Sequence, residues 1–352
     1  MANQTRQLAE LLQGEGVSVV VVRTNAPYGS AWIARLRGVR AGVRLLFYVR
    51  ELWRAAGQVS LFHVMANSGW SWHLFAVPAI WIGRLRGIAV VVNYRGGEAS
   101  SFLQRSAGLV RWGMRRASKL IVPSDYLREI FSAYGMRAEV IPNIIDLELF
   151  FPGKGERPLN PHLVVTRNLE AIYDNATALH VLARVREKFP GARLTICGEG
   201  PELEMLDAQA RNLGLGRAVT FAGRMNRDQI ASLLRDADVL LNPSLVDNMP
   251  NSILEALASG VPVVSTRVGG VPYIVQHEVS ALLVAPGEPG EMAAAVLRLL
   301  GERDIRERLT SEGLRCVESF TWRSVRDRLE SVYRGACMAL QELVVETGAR
   351  QK

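Results

Sequence analysis

Short runs of valine, isoleucine and leucine recur between amphipathic segments along the whole chain, and this alternation constrains the fold more than any other feature. Near-continuous apolar runs read as strands buried on both faces. Strands alternating with helical patterns build βαβ units and a parallel sheet. In the first half the strand candidates are Val17–Val22, Val59–Val64, Ile88–Val92, Leu120–Val122 and Glu139–Ile141. Helical periodicity falls at Gln4–Gln13, Trp70–Leu85, Ser101–Arg116 and Asp125–Tyr134. Phe150–Pro161, rich in Pro and Gly, reads as a linker. A second set of strands follows at Leu163–Arg167, Arg193–Cys197, Val219–Phe221, Val239–Leu241, Val261–Ser265 and Ala281–Val284, with a helix over Gln229–Asp236 opened by capping-box spacing between Asn226 and Gln229.

At 352 residues the chain is long for a single core, and two doubly wound α/β domains are expected. The predicted division is 1–150, 151–319 and a C-terminal helical segment 320–352 that packs back on the first domain. Such a pair places ligands in a central cleft outside the carboxyl ends of the strands. Cys197, Cys316 and Cys337 are few, odd in number and far apart, which excludes a disulfide framework and fits a reducing, cytoplasmic setting. The longest apolar region, His73 to Val92, is interrupted by Pro78, Arg84 and Arg86, so no spanning segment is predicted.

Charge is unevenly placed. Residues 1–150 carry 18 basic against 9 acidic side chains, whereas the rest carry 24 against 25. Six of the seven tryptophans (Trp32, Trp53, Trp70, Trp72, Trp81 and Trp112) lie in that basic half. Arginine with tryptophan suits an anionic membrane surface and a peripheral place on its inner face; the same residues also suit a core and a solvated face. No nucleic-acid motif accompanies the charge, so nucleic acid is not an expected partner.

One stretch, VDNMPNSILEALASGVPVVS, puts Asp247 just before a helix and Glu255 inside it. Pro250 suits the first helical position, since its missing N–H has no intrahelical partner there. Asp247 can complement the helix dipole, but Glu255 lies beyond the first turn, where that effect has faded. Spacing alone leaves structural and functional roles open. Asp247 follows one strand and Arg167 closes another, so both fall at carboxyl ends, where ligands bind.

The segments LTICGEGPELEML, VTFAGRMNRDQIASLLRDADVLLNPSLVDNMPNSILEALASGVPVVSTRVGGVPYIV and ALLVAPGEP resemble the nucleotide-sugar domain of family 4 retaining glycosyltransferases, which have the GT-B fold of two Rossmann-like domains. IVPSDYLREIF and VIPNIIDLELFFP resemble that family's passage from first to second domain. The resemblance implies a nucleotide-sugar donor, a glycan or lipid-linked acceptor and no metal or other cofactor. Asp247 stands where the family holds donor-sugar hydroxyls, and Glu255 where it binds ribose hydroxyls. Asn248, Met249 and Pro250 would face the sugar and diphosphate, and Arg167 would neutralise that diphosphate. Gly198 and Gly200 fall in the glycine-rich turn, and Gly223 and Arg224 near the base. Two rival readings are a donor-binding protein without transfer and a sugar-nucleotide epimerase of the same fold.

Other features point away from different chemistry. Asp236 and Asp238 imitate a metal-binding D-x-D, yet they join a helix end to a buried strand. GEGPEL has Leu203 where a dinucleotide motif needs its third glycine. His63 and His73 read as structural. The sequence also departs from the family. After Arg167 no lysine occurs before Lys188, and Arg95 stands beside the position of a common histidine. Arg95 is therefore a candidate for the missing charge, with a salt bridge to Glu98 as its plain alternative. The first residues resemble the family's first helix and second strand, without the preceding central strand and its glycine loop. The expectation is that the biological chain starts upstream of Met1 or that its first domain is compromised.

Overall fold

A computed structural model describes residues 2–24, 37–153 and 160–349. The chain forms two compact units, one of Met1–Pro142 with Arg326–Lys352, the other of Asn143–Val325.

Unit 1 comprises α1 (Ala2–Gly14), α2 (Arg37–Ala55), β1 (Leu61–Ala66), α3 (Val77–Arg86), β2 (Ala89–Tyr94), α4 (Ala99–Met114), β3 (Lys119–Val122), α5 (Asp125–Ala133) and β4 (Glu139–Val140). Its strands lie parallel in the order β1-β2-β3-β4. β2 is buried along its whole length, as its unbroken apolar run requires. Phe62, Val64, Val90, Val92, Trp72, Leu103 and Phe131 form the core between sheet and helices.

Two expectations fail here. Val17–Val22 is not a strand: Val17, Val20 and Val21 are about half exposed, and no strand among the described residues pairs with this segment. β propensity describes fitness for a pleated, half-buried surface, so valines without a neighbour to pair with do not become a strand. Trp70–Leu85 is not one uniform helix either. Trp72–Ala76 is a π-helical turn that passes into α3, with the Val77 N–H donating to the Trp72 carbonyl. Pro78 follows at once; it lacks an N–H and crowds the preceding turn. The sequence reading also missed α2.

Unit 2 comprises β5 (His162–Val165), α6 (Asn175–Lys188), β6 (Arg193–Cys197), α7 (Leu203–Asn212), β7 (Val219–Gly223), α8 (Arg227–Arg235), β8 (Val239–Asn242), α9 (Asn251–Ala258), β9 (Val263–Thr266), β10 (Leu282–Val284), α10 (Pro289–Gly301) and α11 (Arg303–Val317). The parallel sheet runs β10-β9-β8-β5-β6-β7. Strand order therefore reverses between β5 and β8, the switch point at which such sheets open a crevice. Its helices pack on both faces, giving two cores, one around Leu163, Leu182 and Ile196, the other around Val164, Leu240 and Ile253. A final helix, α12 (Trp322–Ala349), begins in unit 2 and continues in unit 1. Phe150, at the start of the segment read as a linker, is buried in the core of unit 2, while residues 154–159 lie outside those described.

Candidate active site

The site forms where β5 and β8 part. β5 is fixed at its start, because the His162 N–H donates to Asp238 Oδ2 at 2.8 Å and the His162 ring contacts Thr195 Oγ1 at 2.8 Å. Asp238 thus serves the amino end of the sheet, and the D-x-D segment has a structural task there. At the other end Arg167 follows β5 and Asp247 follows β8, and their side chains meet as Nη2 donating to Oδ2. Both are nearly buried, at 14% and 9% side-chain exposure, so the pair interacts in a medium that screens it poorly.

Three neighbours orient this pair. Tyr173 lies flat against Arg167, with Cζ 4.2 Å from the ring centre. Asp247 Oδ1 accepts the Asn248 N–H at 3.0 Å, and the Asp247 carbonyl accepts the Gly270 N–H at 3.0 Å. The loop before Asp247 is tied to β9 by Thr266 Oγ1 donating to the Ser244 carbonyl at 2.5 Å and by Asn242 Nδ2 donating to Ser265 Oγ at 3.0 Å. Arg167 Nε remains buried with no hydrogen-bond acceptor. A guanidinium so held is poised for an added anionic oxygen, since Arg engages phosphate and carboxylate through more than one N–H.

Glycines explain how the Arg167 segment is braced. A Cβ on Gly198 would lie 2.2 Å from the Arg167 carbonyl oxygen, and one on Gly200 2.2 Å from that of Leu169. The Leu169 N–H donates to the Glu199 carbonyl at 3.1 Å, and the Glu202 N–H returns to the Leu169 carbonyl at 3.1 Å. The glycine-rich turn thus packs backbone to backbone under Arg167. Gly223, with φ at +63°, accepts the Gly198 N–H at 2.9 Å, and Arg224 next to it is exposed.

α9 begins one residue later than expected. Pro250 is the cap residue, at φ −67° and ψ 118°, and Asn251 is the first helical residue. Proline's fixed φ suits a helix entrance, and an extended ψ places it just outside. Asn143, at the start of unit 2, anchors this entrance: its Nδ2 donates to the Met249 carbonyl at 3.0 Å and to Asn251 Oδ1 at 2.6 Å. Asn248 and Met249 are buried beside it. Helix-terminal N–H groups and the positive end of the dipole favour an anion here.

Glu255 sits one turn further along α9. Burial pushes its carboxyl up to about 7, against the pull of Arg227 and Arg167. Arg227 also reaches Asp146 Oδ2 at 3.3 Å and lies over the ring of Phe150. The sequence reading missed Tyr173, Arg227 and Asn143. Tyr173 falls six residues after Arg167 at the end of a short 3-10 turn, and Arg227 opens α8 four residues after β7 ends.

Arg95 belongs to unit 1, at the end of β2. Its Nε donates to Asn93 Oδ1 at 3.1 Å and its Nη1 donates to Gln4 Oε1. Asn93 Nδ2 in turn faces His63 Nε2 at 3.0 Å, and His63 Nδ1 faces Tyr333 Oη at 2.7 Å. With the amide oxygen taken by Arg95, the amide N–H donates to Nε2, so the proton of His63 sits on Nδ1. Burial, helped by Arg95, pushes His63 down to about 3, which keeps it neutral. His63 is therefore a structural link from β1 to α12, and His73 packs by its ring against Trp70 and Phe102.

Residues 160–315 match the family of glycosyl transferases group 1, and residues 1–149 match glycosyltransferase family 4. A glycogen synthase from Mycobacterium tuberculosis is 30% identical over 75% of this chain and 67% of its own length. A D-inositol 3-phosphate glycosyltransferase from Segniliparus rotundus is 27% identical over 86% and 71%. Among solved structures, Anabaena HepE in complex with UDP aligns with a TM-score of 0.72 and 18% identity over 93% of this chain and 89% of that one. With two parallel α/β units and both halves matched, the chain belongs to the family 4 glycosyltransferases of GT-B fold.

Proposed function

We propose that the protein transfers a hexose-type residue, with retention of anomeric configuration, from a nucleotide-sugar to a hydroxyl of a glycan or lipid-linked acceptor, in polysaccharide or envelope-glycan synthesis. The observation that carries this reading is the Arg167–Asp247 pair, set on Tyr173 beside the entrance of α9. In the proposed complex the donor diphosphate takes Arg167 and the helix-terminal N–H groups, while Asp247 accepts from sugar hydroxyls. Glu255 accepts from the ribose, and Gly223 and Arg224 border the base. UDP, the nucleotide bound to HepE, is one candidate.

The chemistry follows from these placements. The bond from the anomeric carbon to the diphosphate oxygen breaks, and the acceptor oxygen bonds to that carbon on the same face. The acceptor proton passes to the departing phosphate. Negative charge grows on the leaving oxygen, and a fixed guanidinium with oriented N–H groups stabilises it without reorganising. Positive charge from the protein makes a divalent ion dispensable in this scheme.

Arg167→Ala is expected to lower kcat about 100-fold or more, the usual cost of removing one such donor, measured as nucleoside diphosphate release with acceptor present. Unchanged turnover would remove Arg167 from the mechanism. The second reading, donor binding without transfer, is favoured by the lack of any lysine between Arg167 and Lys188, where the family resemblance implies one that shares the diphosphate charge. Saturable donor binding with neither transfer nor hydrolysis would establish it, and a changed sugar formed without acceptor would establish the epimerase.

A further inference from the structure

The outer surface of unit 1 carries a feature that donor chemistry does not use. Between Arg37 and Arg116 the sequence has twelve arginines and two carboxylates, Glu51 and Glu98. α3 and α4 contain no carboxylate at all. Along α4, Arg105, Leu109 and Trp112 share one face at helical spacing, and Arg116 continues that line just beyond the helix end. Leu109 is 61% exposed and Trp112 46%, with Arg105, Arg111 and Arg115 exposed around them. Trp81 of α3 meets Trp112 at 5.2 Å between ring centres. The Arg116 guanidinium lies 4.5 Å from one ring and 4.1 Å from the other. Leu85, one turn beyond Trp81, is 68% exposed. On its other side α3 sends Arg86 over Trp53 of α2 at 4.9 Å.

Core packing does not account for these side chains. Trp72 shows what a core tryptophan of this unit looks like, fully buried among Tyr94 and Phe102. Trp112, Leu109 and Leu85 instead face water, in a cluster rather than scattered singly, and such clusters mark interaction surfaces. Charge complementarity selects the occupant. Indole rings favour the level of lipid headgroups, leucine favours the acyl boundary, and arginine binds phosphate. An acidic protein partner would satisfy the arginines but would not need leucine and indole together at the outermost positions.

We propose that the outer face of α3 and α4 is a docking surface for an anionic bilayer, with Leu85, Leu109 and Trp112 entering the interface and Arg105, Arg111 and Arg115 meeting lipid phosphates. The proposal is independent of the donor-site reading. Sedimentation of the full chain with vesicles tests it. Binding is expected to vesicles of phosphatidylcholine mixed with phosphatidylglycerol and to be at least about tenfold weaker to phosphatidylcholine alone. Each basic residue near an anionic surface is worth about 1 kcal/mol, so the R105Q/R111Q/R115Q variant is expected to lose at least about tenfold in affinity. Removing three exposed arginines from unit 2 (R211Q/R303Q/R315Q) matches the change in net charge and is expected to leave binding unchanged. L109A/W112A is expected to bind weakly in high salt, where insertion must carry the affinity. Equal binding to both vesicle types, equal losses in the two triple variants, or no effect of L109A/W112A in high salt would each overturn the proposal. All of these residues project from helix surfaces, and unchanged circular dichroism of the variants confirms that folding is not what is read.

Discussion

Arg167 and Asp247 each hold the other's charge in a place where water reaches little of either. Removing one partner from such a pair leaves the other buried and uncompensated, at a cost of about 3 kcal/mol or more, whereas removing both costs less than the sum. Arg167→Gln and Asp247→Asn are therefore expected to destabilise singly and to be partly mutually compensating in a double-mutant cycle read by urea unfolding. Strict additivity would show that the two do not interact. Glu255 gives a prediction in pH. Its folded-state value of about 7 lies above the ordinary 4.5, so the native protein holds a proton there that the unfolded chain has released. Stability from this group is full at low pH and is lost as pH rises through about 7. Glu255→Gln lacks that loss. Relative to the parent it is expected to gain stability between pH 5 and pH 8, by up to about 3 kcal/mol. A stability difference that does not change with pH would contradict the burial of this carboxyl.

At the scale of elements, the glycine turn after β6 and the loop carrying Arg167 act as one unit, because each glycine meets a backbone carbonyl of that loop. Gly200→Ala is expected to cost about 2–4 kcal/mol, since backbone rather than a flexible side chain must move. It is also expected to weaken nucleotide binding more than Gly301→Ala at the end of α10, whose Cβ would meet nothing and whose backbone is not in the left-handed region. Melting temperature and donor affinity of the two variants check this. The elements of unit 2 were legible because its strands are buried on both faces, so apolar runs such as Val239–Leu241 and Arg193–Cys197 mark them within a residue or two. The same signal misled at Val17–Val22, where pattern says strand but pairing depends on what lies alongside. Arg167 and Asp247 stood out as charges at strand ends, and Glu255 as a carboxylate inside a helix beyond the reach of its dipole. Tyr173, Arg227 and Asn143 did not, because a ring stacked on a guanidinium, an arginine that attracts a buried carboxylate and a side chain that ties down a loop have no fixed spacing from the residues they serve.

For the whole molecule, the two units differ in charge and in what their surfaces expose. Unit 2 carries 19 basic against 23 acidic side chains and has its own six-stranded sheet and cores. Residues 143–325 expressed alone are expected to unfold cooperatively, as heat denaturation followed by circular dichroism would show; a fragment without a transition would mean that unit 1 is needed to complete its core. Unit 1 concentrates the arginines and the exposed tryptophans, and no helix among the described residues is long and apolar enough to cross a membrane. The most direct measurement is calorimetric titration of UDP-, GDP- and ADP-sugars into the full chain and into Arg167→Gln and Glu255→Gln. One donor class is expected to bind the parent, with at least about tenfold loss in each variant, as expected when a charge-assisted hydrogen bond worth about 1.5–3 kcal/mol is removed. Binding of every donor with unchanged affinity in both variants would contradict a donor site at the parting of β5 and β8.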